Sequence, residues 1–94
     1  MEASDIVLSL RGHDAGTVLF VMRVEEPYVH LADGKRRRVE APKRKKALHV
    51  RFLAHGDGRA AEKIRSGDKV TNNELRRALS HFKEQMAAGE AALP

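Results

Sequence analysis

Cysteine and tryptophan are both absent from this sequence. Without cysteine there is no disulfide scaffold and no thiolate metal site. Aromatic side chains are scarce: Phe20, Tyr28, Phe52 and Phe82 are the whole set. That is too few for the stacking platform on which sequence-tolerant single-strand binders rely. The longest apolar run, residues 18–22, is far short of the roughly 20 residues of a membrane-spanning helix. The start, Met1, Glu2, Ala3, Ser4 and Asp5, is acidic where a secretion signal is basic. No membrane association is expected, and a cytoplasmic protein is. No phosphate-binding P-loop, nucleophile elbow or paired-carboxylate arrangement is present. The five histidines, His13, His30, His49, His55 and His81, show no metal-ligand spacing. The sequence therefore predicts no enzyme, no cofactor and no metal. A His30/His49 pair acting as a ribonuclease is the remote exception.

What the chain has in abundance is positive charge in one place. Residues 35–46 hold eight Lys or Arg (Lys35, Arg36, Arg37, Arg38, Lys43, Arg44, Lys45, Lys46) against one acid, Glu40. That segment carries +7 of a net charge of +5, so the remainder is slightly negative. A dense basic stripe on a nearly neutral globule concentrates polyanions at one surface. A solvated, aggregation-resistant edge is the blander account, because lysines on an edge strand block strand addition. Eight charges in twelve residues exceed what that requires.

Ninety-four residues make one domain with one modest core. Alternating patterns predict strands over residues 6–10, 17–24 and 28–32. In the first, Val7 and Ser9 share one face, and Ile6, Leu8 and Leu10 the other. The second strand is apolar on both faces: Val18, Phe20, Met22 and Val24 on one, Leu19 and Val21 on the other. Something must therefore cover its outer face. Asp33-Gly34 is a two-residue hairpin signal. It predicts a fourth strand over 35–39, with Leu31 opposite Arg36, His30 opposite Arg37, Val29 opposite Arg38 and Tyr28 packed on Val39. Pro42 interrupts that pairing, and residues 47–53 predict a fifth strand with Leu48, Val50 and Phe52 inward.

Beyond His55 the pattern turns helical. Residues 59–66 have Ala60, Ala61 and Ile64 as an apolar side and Gly67 as a stop. Thr71 and Glu74 have capping-box spacing, with Val70 and Leu75 placed as a hydrophobic staple. Leu75, Leu79, Phe82 and Met86 form a stripe suited to covering the apolar outer face of the second strand. Residues 87–94 are expected to fray. The expected organisation is a barrel over 1–56 with a helical C-terminal extension, 57–94, packed on it as one structural domain.

Ser4-Asp5-Ile6-Val7-Leu8-Ser9-Leu10-Arg11-Gly12, followed by Asp14, Gly16 and an aliphatic strand, resembles a KOW motif. Together with Tyr28-Val29-His30-Leu31-Ala32-Asp33-Gly34-Lys35, Arg37-Arg38-Val39-Glu40 and Pro42-Lys43, the pattern is similar to small bacterial KOW-domain RNA-binding proteins. These in turn are similar to large-subunit ribosomal proteins of the L-fourteen-e type. The likeness covers residues 4–53, and more weakly 75–79. It implies a mainly-β, SH3-like barrel of about five strands that binds RNA. The expected partner is ribosomal RNA or the ribosome, with a possible protein partner there, and a monomer is expected. This chain departs from the family at Ser4, where glycine is usual, at His13 and Ala15, where basic residues are usual, and at Arg36, where an apolar residue is usual.

The expected RNA contacts are Arg11, Gly12, His13 and Gly16 in the first turn, and Lys35, Arg36, Arg37, Arg38, Lys43, Arg44, Lys45 and Lys46 in the basic segment, with Arg76 and Arg77 extending the patch. Arginine supplies planar bidentate donors to phosphates, and backbone N–H groups beside glycines approach them closely. Tyr28 is a candidate for stacking on a base. The alternative function is a KOW/SH3-like protein-interaction module of the transcription or translation machinery. Pro42-Lys43-Arg44-Lys45-Lys46 also has the composition of a nuclear import signal.

Overall fold

The computed structural model describes residues 1–91. Of the tail expected to fray, residues 87–91 continue the last helix and residues 92–94 lie outside the described residues. Five strands, β1 (Asp5–Ser9), β2 (Val18–Glu25), β3 (Tyr28–Ala32), β4 (Lys43–Lys46) and β5 (Val50–His55), form one antiparallel sheet in the order β4-β3-β2-β1-β5. A 3-10 turn, Ala47–His49, links β4 to β5. Helices α1 (Gly58–Ser66) and α2 (Asn72–Ala91) follow. A small mainly-β fold with a C-terminal helical segment is what the sequence pattern predicted. The sheet is open, however: among the described residues no ladder joins β4 to β5.

The two apolar faces of β2 make two cores. Val7, Leu19, Val21, Val29, Leu31 and Val50 pack together on one side of the sheet. On the other, Ile6, Phe20 and Ala32 pack under Ala60, Ala61 and Ile64 of α1 and Leu75 and Leu79 of α2. Phe20 is 1% exposed, and burial of such a side chain stabilises by about 2–3 kcal/mol. The helical stripe thus covers the outer face as expected, down to Phe82; Met86 stands 41% exposed beyond it. One strand residue changes sides. The β2–β3 register shifts between Val21 and Arg23, so the alternation slips at Met22 and Val24 joins the core of Val21 instead of that of Phe20.

Local chemistry sets the helix ends. Gly67 closes α1 in the left-handed conformation, φ +79°. Thr71 Oγ1 accepts the Glu74 N–H at 3.1 Å, while Glu74 Oε1 accepts the Thr71 N–H at 3.0 Å. Val70 and Leu75 are both buried beside this cap.

Three expectations are overturned. Residues 35–39 are not a strand, and the partner of β3 is β4: Tyr28 faces Lys46, Val29 Lys45, His30 Arg44 and Leu31 Lys43. Asp33 is the cause. Its Oδ1 accepts the N–H groups of Lys35 and Arg37 at 3.0 and 2.8 Å, which curls the chain into a wide loop where a tight hairpin would need the ladder to start at once. The loop is anchored from α2, as Asn72 Oδ1 accepts the Val39 N–H and Asn72 Nδ2 donates to Glu40 Oε1, both at 2.8 Å. Leu48 and Phe52 are not inward: they are 72% and 45% exposed. The 3-10 turn breaks the alternation at Leu48, and Phe52, opposite Val7 on the edge strand β5, rests edge-on against His55 with its ring centre 4.9 Å away. Tyr28 therefore meets not Val39 but Arg44, whose guanidinium carbon lies 4.2 Å from the ring centre.

Candidate nucleic-acid interface

The basic segment divides into cations that hold the protein together and cations that face outward. Arg37 reaches back to the β1–β2 turn and grips Asp14, with Nη2 to Oδ2 at 2.8 Å and Nε to Oδ1 and Oδ2 at 3.2 and 3.1 Å. The Asp14 side chain is only 3% exposed. The Arg37 hydrogen bonds hold its carboxyl below the usual carboxylate range against the opposing effect of burial, with Lys45 and Arg36 adding weaker attraction. Arg36 Nη1 donates to the His13 carbonyl at 2.9 Å. Lys45 Nζ donates to Ser9 Oγ at 2.7 Å and to the Arg11 carbonyl at 2.6 Å. Three of the eight cations therefore clamp the turn that carries Gly12 and Gly16.

That turn is internally satisfied as well. Ala15, Gly16 and Thr17 donate their N–H groups to the carbonyls of Gly12, Ser9 and Asp14. Gly12 and Gly16 take φ +80° and +87°, so their first role is conformational. The picture of this turn as a bare row of N–H donors is accordingly reduced.

Of the others, Arg38 makes a solvent-exposed pair with Glu40 at 3.4 Å. Arg44 lies over Tyr28. Arg11, Lys35, Lys43, Arg44 and Lys46 have no carboxylate partner among the described residues and all are exposed. Arg76 donates to the Gly34 carbonyl at 2.6 Å and so adjoins the loop. Arg77 instead lines a different cavity with His81 and Phe82.

The β1–β2 turn and β4 enclose a cleft of about 210 Å³ bordered by Arg11, His13, Arg37, Lys43, Lys45 and His49, with Asp14 as its one acid. The sequence pattern named most of these residues but not their convergence. Asp14 and Ser9 are the residues that reasoning missed, because their partners stand 23 and 36 positions away. His30 does not approach His49 across the strands; it is held between Arg23 Nη2 and Glu25 Oε1, each at 3.1 Å. The sequence spacing also gave no hint that Glu2, Asp5 and His55 bring their donor atoms within 4.8 Å of one another. There Asp5 accepts the Glu2 N–H and pairs with His55 Nδ1, both at 2.8 Å, so each of its oxygens already has one partner.

A second cavity, of about 840 Å³, lies between the sheet, α1 and α2, with Ile6, Phe20 and Phe82 among its apolar lining. Among the described residues no helix is long and apolar enough to cross a membrane. No protein-family model matches the chain, and no curated protein does.

Proposed function

We propose that the protein binds structured RNA, as the KOW-like pattern of its first half implies, and that it does so on the ribosome in the cytoplasm. The observation that carries this reading is the β4 edge. Lys43, Arg44 and Lys46 are exposed there on consecutive and alternate positions without carboxylate partners among the described residues. Lys35 in the preceding loop and Arg11 beside the cleft add to the same charge. Lys and Arg so placed neutralise phosphates and release condensed counterions. The clamped turn supports the same reading, because a rigid cationic surface loses less entropy on binding than a floppy one. With few aromatics, the recognition is of backbone and shape, not of splayed bases. Crosslinking in cells followed by sequencing of the bound RNA tests the proposal. Ribosomal RNA should dominate the recovered fragments and disappear with Lys43→Glu/Lys46→Glu; recovery of no RNA above background contradicts it.

A second reading, a protein-interaction module, draws on the 840 Å³ groove with its apolar lining and the rim residues Arg59, Arg77 and His81. A partner retained after nuclease treatment, and lost on Phe82→Asp, would favour it.

A further inference from the structure

We propose that the cleft between the β1–β2 turn and β4 holds the terminal phosphomonoester of an RNA strand. This deepens, and rests on, the RNA-binding reading. Size is the first argument. At about 210 Å³ the cleft is smaller than the roughly 300 Å³ at which pockets begin to enclose drug-sized ligands. A phosphate group fits within it, and no Phe, Tyr or aliphatic side chain lines it for a base to pack on.

Charge is the second. Arg11, Arg37, Lys43 and Lys45 border the cleft together with His13 and His49. The single acid there, Asp14, is buried with both oxygens engaged by Arg37. Arg37 spends Nε and Nη2 on Asp14 and keeps Nη1, and Lys45 spends two of its three N–H donors. Such a surplus exceeds the need of a phosphodiester with one negative charge. A terminal phosphate carries about −1.5 to −2 at neutral pH and three acceptor oxygens. Holding the turn fixed through Arg36, Arg37 and Lys45 means that these donors are placed before a ligand arrives. Arg44 and Lys46 alternate with Lys43 and Lys45 along β4, so they project from its other face and lie outside the cleft lining.

The test uses the full chain and one fluorescent RNA hairpin with short single-stranded ends, prepared with a 5′-phosphate, a 3′-phosphate or hydroxyls at both ends. Binding is read by anisotropy near neutral pH and about 0.15 M salt. The extra charge facing two cations at about 4 Å in a water-like medium, reduced by salt screening, predicts tighter binding of one phosphorylated form by about tenfold or more. Which form gains identifies the end recognised. Arg11→Ala/Lys43→Ala, changes at two exposed side chains, should abolish the difference, while Lys46→Ala should preserve it. Equal affinity for all three RNAs overturns the end-recognition proposal and leaves RNA binding standing, as does a preference that survives Arg11→Ala/Lys43→Ala. No binding of any of the three overturns both.

Discussion

Arg37 and Asp14, 23 residues apart in the chain, meet through three hydrogen bonds of 2.8–3.2 Å and tie the basic loop to the first turn. Arg37, one of the side chains that a sequence reading assigns to phosphate, is thus also a structural tether. Arg37→Ala should leave the buried Asp14 carboxylate without its partner and destabilise the fold by about 2 kcal/mol, below the range for a fully buried pair because Arg37 is 31% exposed. Arg38→Ala, one position on, breaks only the exposed pair with Glu40 and should leave the denaturation midpoint unchanged. Urea unfolding of the two variants side by side checks the contrast.

The same tether gives the stability a pH dependence of definite sign. Asp14 has a folded-state pKa depressed chiefly by the Arg37 hydrogen bonds. Its stabilisation is complete above the unfolded carboxylate value of about 3.9 and is lost as pH falls through the lower folded value. Stability should therefore fall on acidification below about pH 4. Asp14→Asn should start less stable and show a flatter acid limb in unfolding followed from neutral pH downward.

Gly34 packs against the N-terminus of α2, where a Cβ would collide with the Asn72 carbonyl, and its φ is +79°. Gly34→Ala should cost about 3 kcal/mol or more, since clash and strain add and the loop would have to leave Asn72. The thermal midpoint reads this directly, and a midpoint within a degree or two of the parent would contradict the packing described.

Ser4 occupies the left-handed region at φ +75°. Its N–H donates to the Val21 carbonyl, its carbonyl accepts from Gly56, and its hydroxyl accepts from Arg65. These bonds hold a conformation that a side chain disfavours by about 1–2 kcal/mol. Glycine at this position removes that strain. Ser4→Gly should be more stable than Ser4→Ala by about 1 kcal/mol, since both lose the hydroxyl and only one keeps the Cβ.

These residues also show where sequence reading succeeds and where it stops. The third strand, the Thr71–Glu74 cap, the Gly67 stop and the helical cover over Phe20 were legible because each is written in a local pattern: alternation, spacing of a cap, or a stripe. The wide loop was not, because Asp33-Gly34 looks like a hairpin turn until Asp33 captures two N–H groups and Asn72 draws Val39 and Glu40 toward α2. Nor could the sequence separate Arg37 and Lys45 from Lys43 and Lys46. All are equally basic, and only contacts 23–36 residues away distinguish a tether from an outward-facing cation.

The central claim is that the outward cations of β4 and its neighbouring loop engage an RNA backbone, and the salt dependence of binding addresses it most directly. With about five phosphates of looped RNA neutralised, the logarithm of the association constant should fall against the logarithm of salt concentration with a slope near −3.5. Lys43→Ala/Lys46→Ala should make that slope shallower by about 1.4, two contacts' worth. A slope near zero, or one unmoved by the double substitution, would contradict the account.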